Sequence, residues 1–342
     1  MKTSVNWLKT YTYTFLLALA SMSTQAQDPM FTQFYANPLY LNPALTGVER
    51  CPRVIANYRN QWPKTVFGGV NYVTYAVSYD QHVDAFNGGL GIQVVNDQSG
   101  NQVFNNYYAS GLYSYNLPVN RKLSVRLGMQ ATYIQKSIDW SKLTFGDMID
   151  ERYGFIYQTN ETPGKDNVKM ADFSAGALAF TKMFYGGISV HHLTQPEENF
   201  LSSDVTTLPR KYTAHAGFVI PLNKRFPKEG SISPNFLYSQ QGGTFASPNA
   251  NKAFLGIYAT KGPIVGGLWF RTNNSAINGL KQESFVALFG LHTDYMRFGY
   301  SYDLTISKLT NNTGGSHEIS VALLFDCKPK RVKFRYINCP KF

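Results

Sequence analysis

Strict alternation of side-chain character narrows the fold of this chain more than any other feature. Leu123, Val125, Leu127, Met129, Ala131 and Tyr133 fall on one face of an extended segment, and Ser124, Arg126, Gly128, Gln130 and Thr132 on the other. Met296, Phe298, Tyr300, Tyr302, Leu304 and Ile306 interleave in the same way with Arg297, Gly299, Ser301 and Asp303. So do His317, Ile319, Val321, Leu323 and Phe325 with Glu318, Ser320 and Ala322. A period of two marks a strand, whose successive side chains leave opposite faces. Arg or Asp on one face and apolar or aromatic residues on the other suit a wall between a polar lumen and lipid.

The composition agrees. Only 15% of the 342 residues are charged, against roughly 25% in soluble domains. Tyr, Phe and Gly number 23, 24 and 28. The mean hydropathy is negative, which excludes several spanning helices of about 20 apolar residues each. A barrel escapes that test because only alternate residues face lipid. A soluble β-sandwich would leave too much apolar surface outside, and its strands are shorter than the segments of about 10–12 residues seen here. No longer period recurs, so a solenoid is rejected. The expected fold is all-β: a transmembrane antiparallel β-barrel of about fourteen strands with an N-terminal plug-like segment.

Strands are expected near 53–62, 70–82, 87–97, 102–115, 121–135, 169–183, 184–193, 210–221, 229–240, 250–261, 263–272, 281–292, 294–306 and 316–326. The even-numbered connections, 83–86, 116–120, 182–184, 222–229, 261–262 and 293–294, are short, whereas 136–167, 194–209 and 307–315 are long. Short periplasmic turns and long outward loops are the outer-membrane pattern, and an even count returns both ends to the periplasm. Residues 1–26 read as a signal peptide: Lys2 and Lys9 precede the apolar core Phe15-Leu16-Leu17-Ala18-Leu19-Ala20, and Thr24-Gln25-Ala26 suits cleavage before Gln27. The layout expected is a leader (1–26), an N-terminal plug or partner segment (27–52), a barrel (53–326) and a basic periplasmic tail (327–342).

The formal charge is +11. The densest basic run is the tail (Lys328, Lys330, Arg331, Lys333, Arg335, Lys341), which suits lipid headgroups of the outer membrane or a docking tag for periplasmic components. Export argues against nucleic acid. Three cysteines leave one over if a disulfide forms. Cys327 with Cys339, flanking the tail, is the first choice, Cys51 with Cys339 the second, and three reduced thiols the third.

Residues 27–52 differ from the wall. Pro29, Pro38, Pro43 and Pro52 exclude a central strand, yet Phe31, Phe34, Tyr35, Leu39, Tyr40 and Leu41 make the stretch apolar. Broken backbone cannot lie in hydrocarbon with its polar groups unpaired, so the lumen or its periplasmic mouth is its expected place. Asn37-Pro38 and Asn42-Pro43 are turn-forming pairs that should fold Leu39-Tyr40-Leu41 into a compact knuckle. A lumen carboxylate or a plug carbonyl is the expected partner of Arg59.

The string Asp28-Pro29-Met30-Phe31-Thr32-Gln33-Phe34-Tyr35-Ala36-Asn37-Pro38-Leu39-Tyr40-Leu41-Asn42-Pro43-Ala44, then Gly47 and Asn57-Tyr58-Arg59-Asn60-Gln61-Trp62-Pro63, resembles the PorP/SprF family of Bacteroidetes. Leu143-Thr144-Phe145-Gly146-Asp147-Met148-Ile149-Asp150 also looks like a family stretch. The resemblance implies an outer-membrane protein of type IX secretion and gliding motility. Its implied partners are secreted surface cargo and the periplasmic ring and peptidoglycan-binding components of the machine. The residues it marks as a partner or plug motif are Asp28, Pro29, Phe31, Gln33, Tyr35, Asn37, Pro38, Leu41, Asn42, Pro43, Gly47, Arg59, Gln61 and Trp62. None carries a catalytic role.

Catalytic signatures are missing: there is no Gly-x-Ser-x-Gly, His-Glu-x-x-His or phosphate loop. An enzyme and a cofactor are not expected. His191 and His192 should point to opposite faces of a strand and chelate nothing together. Asp139, Asp147, Asp150 and Glu151 fall in the longest loop, where a solvated acidic loop is favoured over a calcium site. The alternative function is an outer-membrane channel taking up small hydrophobic solutes, since a plugged barrel of this size suits that too.

Overall fold

The computed structural model describes residues 28–63, 72–120, 123–150, 152–201, 206–223, 230–243, 248–275, 281–306 and 314–326. The leader and the basic tail lie outside the described residues.

Fourteen strands close into an antiparallel barrel. They are β1 (Arg53–Gln61), β2 (Tyr72–Val83), β3 (Gly88–Ser99), β4 (Phe104–Pro118), β5 (Ser124–Ile138), β6 (Asn167–Phe180) and β7 (Phe184–His191). The ring continues through β8 (Lys211–Phe218), β9 (Gly230–Gly243), β10 (Pro248–Lys261), β11 (Ile264–Ser275), β12 (Lys281–His292), β13 (Met296–Thr305) and β14 (Ser316–Leu324). Each strand pairs with its sequence neighbours. β1 and β14 complete the ring, in register from Arg53↔Leu324 to Gln61↔Ser316.

Alternation sets what each face meets. Along β5, Ser124, Arg126, Gln130 and Thr132 are buried, while Leu127 and Met129 are 50% and 67% exposed. The pattern inverts that of a soluble protein, as an interior lined with polar groups and an apolar rim facing lipid require.

Three departures from the expected strands have physical causes. β5 runs outward past its expected end at residue 135 to Ile138, opposite Phe104. Polar Lys136 and Ser137 hide this extension from a hydrophobic pattern, but the ladder still holds them. β8 breaks at Val219 and resumes as Ile220–Pro221. The pairs Gly217↔Asn235 and Ile220↔Ile232 flank the gap, opposite Pro234, which has no N–H to donate. β7 is short, so β6 pairs with it only from Ala175↔Val190 to Phe180↔Tyr185, although β6 meets β5 along its whole length from Asn167↔Ser137.

Inside the ring, residues 28–48 fill the lumen. Phe34, Tyr35, Leu41, Ala44, Leu45 and Val48 form one buried cluster with Leu178, Phe254, Tyr258, Trp269 and Leu288 of the wall. The Phe34 ring meets Trp269 edge-on at 4.8 Å and Phe254 at 5.7 Å. Each such ring, fully buried, contributes roughly 1.5–3 kcal/mol.

Candidate functional site

The plug is a chain of three tight turns. Phe34–Ala36 is a 3₁₀ turn, Pro38–Leu41 a single α-helical turn (α1), and Pro43–Leu45 a second 3₁₀ turn. Pro38 and Pro43 each open a turn, where a missing N–H costs nothing. The Asn42 carboxamide oxygen accepts the Ala44 N–H at 2.9 Å and caps the last turn. The knuckle between the two Asn-Pro pairs is therefore helical, with Leu39 wholly buried. Phe31 meets the Tyr40 ring edge-on at 5.3 Å, and the Tyr40 hydroxyl donates to the Pro29 carbonyl at 2.6 Å.

Side chains of the wall hold this plug at three levels. At the outward end the Asp28 carboxylate lies 2.8 Å from His192 Nε2 and 3.3 Å from Lys211 Nζ, and it accepts from Gln241 Nε2 at 3.2 Å. His192 Nδ1 is 2.9 Å from Asp172. Burial alone would lower the His192 pKa, but the two carboxylates hold it at about 9. Burial would likewise raise Asp28, yet the His192 and Lys211 cations keep it well below the usual carboxylate range.

At mid-height, Arg59 of β1 reaches Asp303 of β13 and Glu318 of β14, each at 2.9 Å. Arg271 of β11 adds a second cation to Asp303 at 2.9 Å. The plug joins this cluster directly. The Thr32 and Gln33 N–H groups donate to the two Glu318 oxygens at 2.7 and 3.0 Å. The Thr32 hydroxyl donates to Asp303 at 2.8 Å and accepts from Arg59. Two guanidinium groups meet two carboxylates, so the buried charge is balanced. Losing one member of such a set costs about 3–5 kcal/mol because its partner stays buried and unpaired.

Toward the periplasmic end, Asn42 Nδ2 donates to the carbonyls of Ala177 and Ile188 at 3.2 and 3.1 Å, and lies 3.3 Å from His215 Nε2. Arg126 donates to the carbonyls of Thr46 and Gly47 at 2.8 and 3.0 Å. The Gly47 N–H donates to Asp80 at 2.6 Å, and Asp80 pairs with Arg53 at 2.6 Å. Gly47 has φ +63, and a Cβ there would strike Gly89 of the wall. Gly128 and Gly176 of the wall leave the space that Pro43, Ala44 and the Asn42 side chain occupy.

Above the plug an outward cavity of about 670 Å³ opens between Trp62, Tyr72, Tyr108, Phe200, Lys252 and Arg271. Its wall includes the Lys136–Glu198 ion pair at 2.7 Å. The loop after β7 folds inward beside it, with Leu208 buried against Ile134 and Met170.

The sequence-marked residues therefore converge. Asp28, Phe31, Gln33, Tyr35, Asn37, Leu41 and Asn42 are in contact with the wall or buried against it; Asn37, for instance, accepts from Gln93 at 2.9 Å. Arg59 finds carboxylates, as one of its two expected partners, and Gln61 accepts from it at 3.4 Å. Trp62 lines the cavity, with its ring edge-on to Tyr72 at 5.8 Å.

Cys51 is disulfide-bonded; the first-choice pair, Cys327 with Cys339, lies outside the described residues. One expectation is corrected. His191 and His192 do not take opposite faces. A left-handed backbone at His192 (φ 58) ends β7 and turns both rings inward. In the long outward loop, Asp139, Asp147 and Asp150 each accept hydrogen bonds from nearby loop groups, and Glu151 lies outside the described residues. Among the described residues no cluster of three or more His, Cys, Asp or Glu is placed to hold a metal. Sequence reading gave no site role to Asp80, Arg126, Asp172, His192, Asp303 and Glu318. All but His192 were visible as charges on the inward face of alternating strands.

A family model described as "Type IX secretion system membrane protein PorP/SprF" matches residues 23–323. No curated protein matches the chain. Among solved structures, the toluene transporter TbuX of Ralstonia pickettii is similar, at 11% identity and a TM-score of 0.49, with 84% of this chain and 93% of that one covered. The CymD monoaromatic hydrocarbon channel gives 12%, 0.49, 85% and 93%. Omp33 of Acinetobacter baumannii gives 13%, 0.43, 82% and 100%.

Proposed function

The chain belongs to the PorP/SprF family of type IX secretion system membrane proteins, and from that premise we propose that it is a non-enzymatic outer-membrane component that engages or anchors secreted surface proteins, links to the periplasmic machinery, or does both. The observation that carries this reading is the bonded plug. A lumen closed at three levels by buried ion pairs and backbone hydrogen bonds leaves the outward mouth and loops, rather than a water path, as the surfaces available for work. Residues 28–63, which mark the family, are the ones spent on that closure and on the floor of the outward cavity.

The test is affinity purification from the native outer membrane in mild detergent, with co-purifying proteins identified by mass spectrometry. A secreted surface protein or periplasmic ring components should be recovered. A barrel that purifies alone every time would refute a stable partner role.

One observation favours the second reading, uptake of small hydrophobic solutes. A slot of about 50 Å³ runs between plug and wall, lined by Met30, Phe31, Phe34, Leu237 and Ala250. It would have to widen to pass an aromatic molecule. Saturable uptake of toluene by vesicles carrying the protein would favour this reading over the first.

A further inference from the structure

The slot between plug and wall carries two polar groups that no acceptor in the lumen answers. Its apolar lining is Met30, Phe31, Phe34, Leu41, Leu237 and Ala250. It opens into the outward cavity, because Asp28, Pro29, Met30 and Lys252 border both spaces. Other polar side chains along it are matched. Asp28 is held by His192, Lys211 and Gln241. The Thr213 and Ser239 hydroxyls lie 3.3 Å apart, and the Tyr40 hydroxyl donates to the Pro29 carbonyl.

Lys252 and Asn37 are the exceptions. Lys136 and Lys211 each hold a carboxylate, that of Glu198 and that of Asp28. Lys252, on the inward face of β10 two residues before Phe254, holds none among the described residues. The neighbouring cations Lys211 and Arg271 already belong to Asp28 and Asp303. Asn37 is 1% exposed; its carboxamide oxygen accepts from Gln93, but its Nδ2 meets no acceptor. A buried donor left unpaired is costly, and a charged one more so. Both groups donate, so what the slot lacks is an acceptor.

We propose that this slot binds an unbranched aliphatic monocarboxylate, with the carboxylate on Lys252 Nζ and the chain between the plug and strands β9 and β10, over Phe34 and Leu237. The occupant follows from the lining. It must bring oxygen acceptors, one negative charge and an apolar body, and a carboxylate on a hydrocarbon chain has all three. An alcohol of the same length leaves Lys252 without a counter-ion, and an amine repels it. A phosphate dianion brings a second charge that one lysine does not balance. The narrowness of the slot, about 50 Å³, favours an unbranched chain over a ring. The site is one of binding and rests on neither functional reading, since it requires neither cargo nor passage through the barrel.

Octanoate carrying a terminal diazirine tests it on the whole barrel in phosphatidylcholine nanodiscs, with labelled peptides identified by mass spectrometry after irradiation. Label should concentrate on residues 28–41 and 237–254. Octanoate should displace it at a concentration about tenfold lower than octanol or acetate needs. Lys252→Met keeps the reach of the side chain without its charge and should weaken labelling by about tenfold, whereas Lys252→Arg should retain most of it. Ala250→Leu narrows the slot with Lys252 intact, and Asn37→Asp sets a carboxylate of the protein's own in the same space; both should weaken labelling. Equal displacement by octanol would mean an apolar slot without a head-group site, and equal displacement by acetate an adventitious ion only. Label spread over lipid-facing residues such as Leu268 would mean partition into the membrane. Each of these overturns the proposal, as does no labelling or unchanged labelling of Lys252→Met. If that variant does not fold, judged by heat-dependent gel migration, the displacement series on the parent barrel and the Ala250→Leu variant decide. Neither cargo nor transport enters the readout, so a negative result leaves the secretion reading standing.

Discussion

His192 Nε2 lies 2.8 Å from the Asp28 carboxylate, and this pair ties the outward end of the plug to the end of β7. Its strength depends on pH in a definite sense. The His192 pKa is raised to about 9 from 6.5, so its contribution is complete below about 6.5 and is lost as pH rises through about 9. Asp28 is lowered from 3.8, so its contribution is complete above that value and is lost as pH falls through the depressed one.

The first prediction is that the outward end of the plug is tightest between about pH 4 and pH 6.5 and loosens above pH 9, while mid-height stays closed. Hydrogen exchange of peptides covering residues 28–31 and 32–36, followed from pH 5 to pH 10, checks it. Loosening of both peptides together would count against a separate outward staple.

The second concerns the buried cluster. Arg59→Met strands Glu318 and part of Asp303 in the lumen and should cost about 3–5 kcal/mol, read as a lower unfolding midpoint in detergent. Arg59→Met with Glu318→Gln should recover much of that loss. If the double variant is no better than the single one, the two residues do not act as a pair.

The third concerns space. A side chain at Gly128 would fall on the backbone of Pro43 and Ala44, so Gly128→Val should displace the plug and raise single-channel conductance in planar bilayers above that of the parent. Asn42→Ala removes bonds to Ala177 and Ile188 without adding bulk, and should cost about 1–3 kcal/mol with little conductance. Equal conductance from Gly128→Val and the parent would mean that the plug is not the barrier.

The fourth is covalent. A non-reducing peptide map should recover Cys51 joined to a peptide from residues 327–342, with one thiol left to alkylate. Finding Cys51 alkylated in full would contradict the bond.

The wall was legible in the sequence because lipid on one side and polar groups on the other impose alternation on nearly every strand. It faded past residue 135 of β5, where Lys136, buried in an ion pair with Glu198, and Ser137 carry no apolar alternation. The plug was legible from its prolines, which no strand would accept. The partners of Arg59 were not. Asp303 and Glu318 are 244 and 259 residues away along the chain, and only closure of the ring brings them near. His192 was misread because a left-handed turn in a non-glycine residue leaves no mark on a hydrophobic pattern.

Glu318 belongs to the last strand and Arg59 to the first, and the plug residues Thr32 and Gln33 bind the same carboxylate. The lumen segment thus straddles the seam at which the ring is sealed. A slip of one residue there would turn Glu318 to the lipid side and leave Arg59 short of a partner. The seam's register is thus written twice, once in the ladder between the first and last strands and once in the single carboxylate that the plug's two amides and the arginine share.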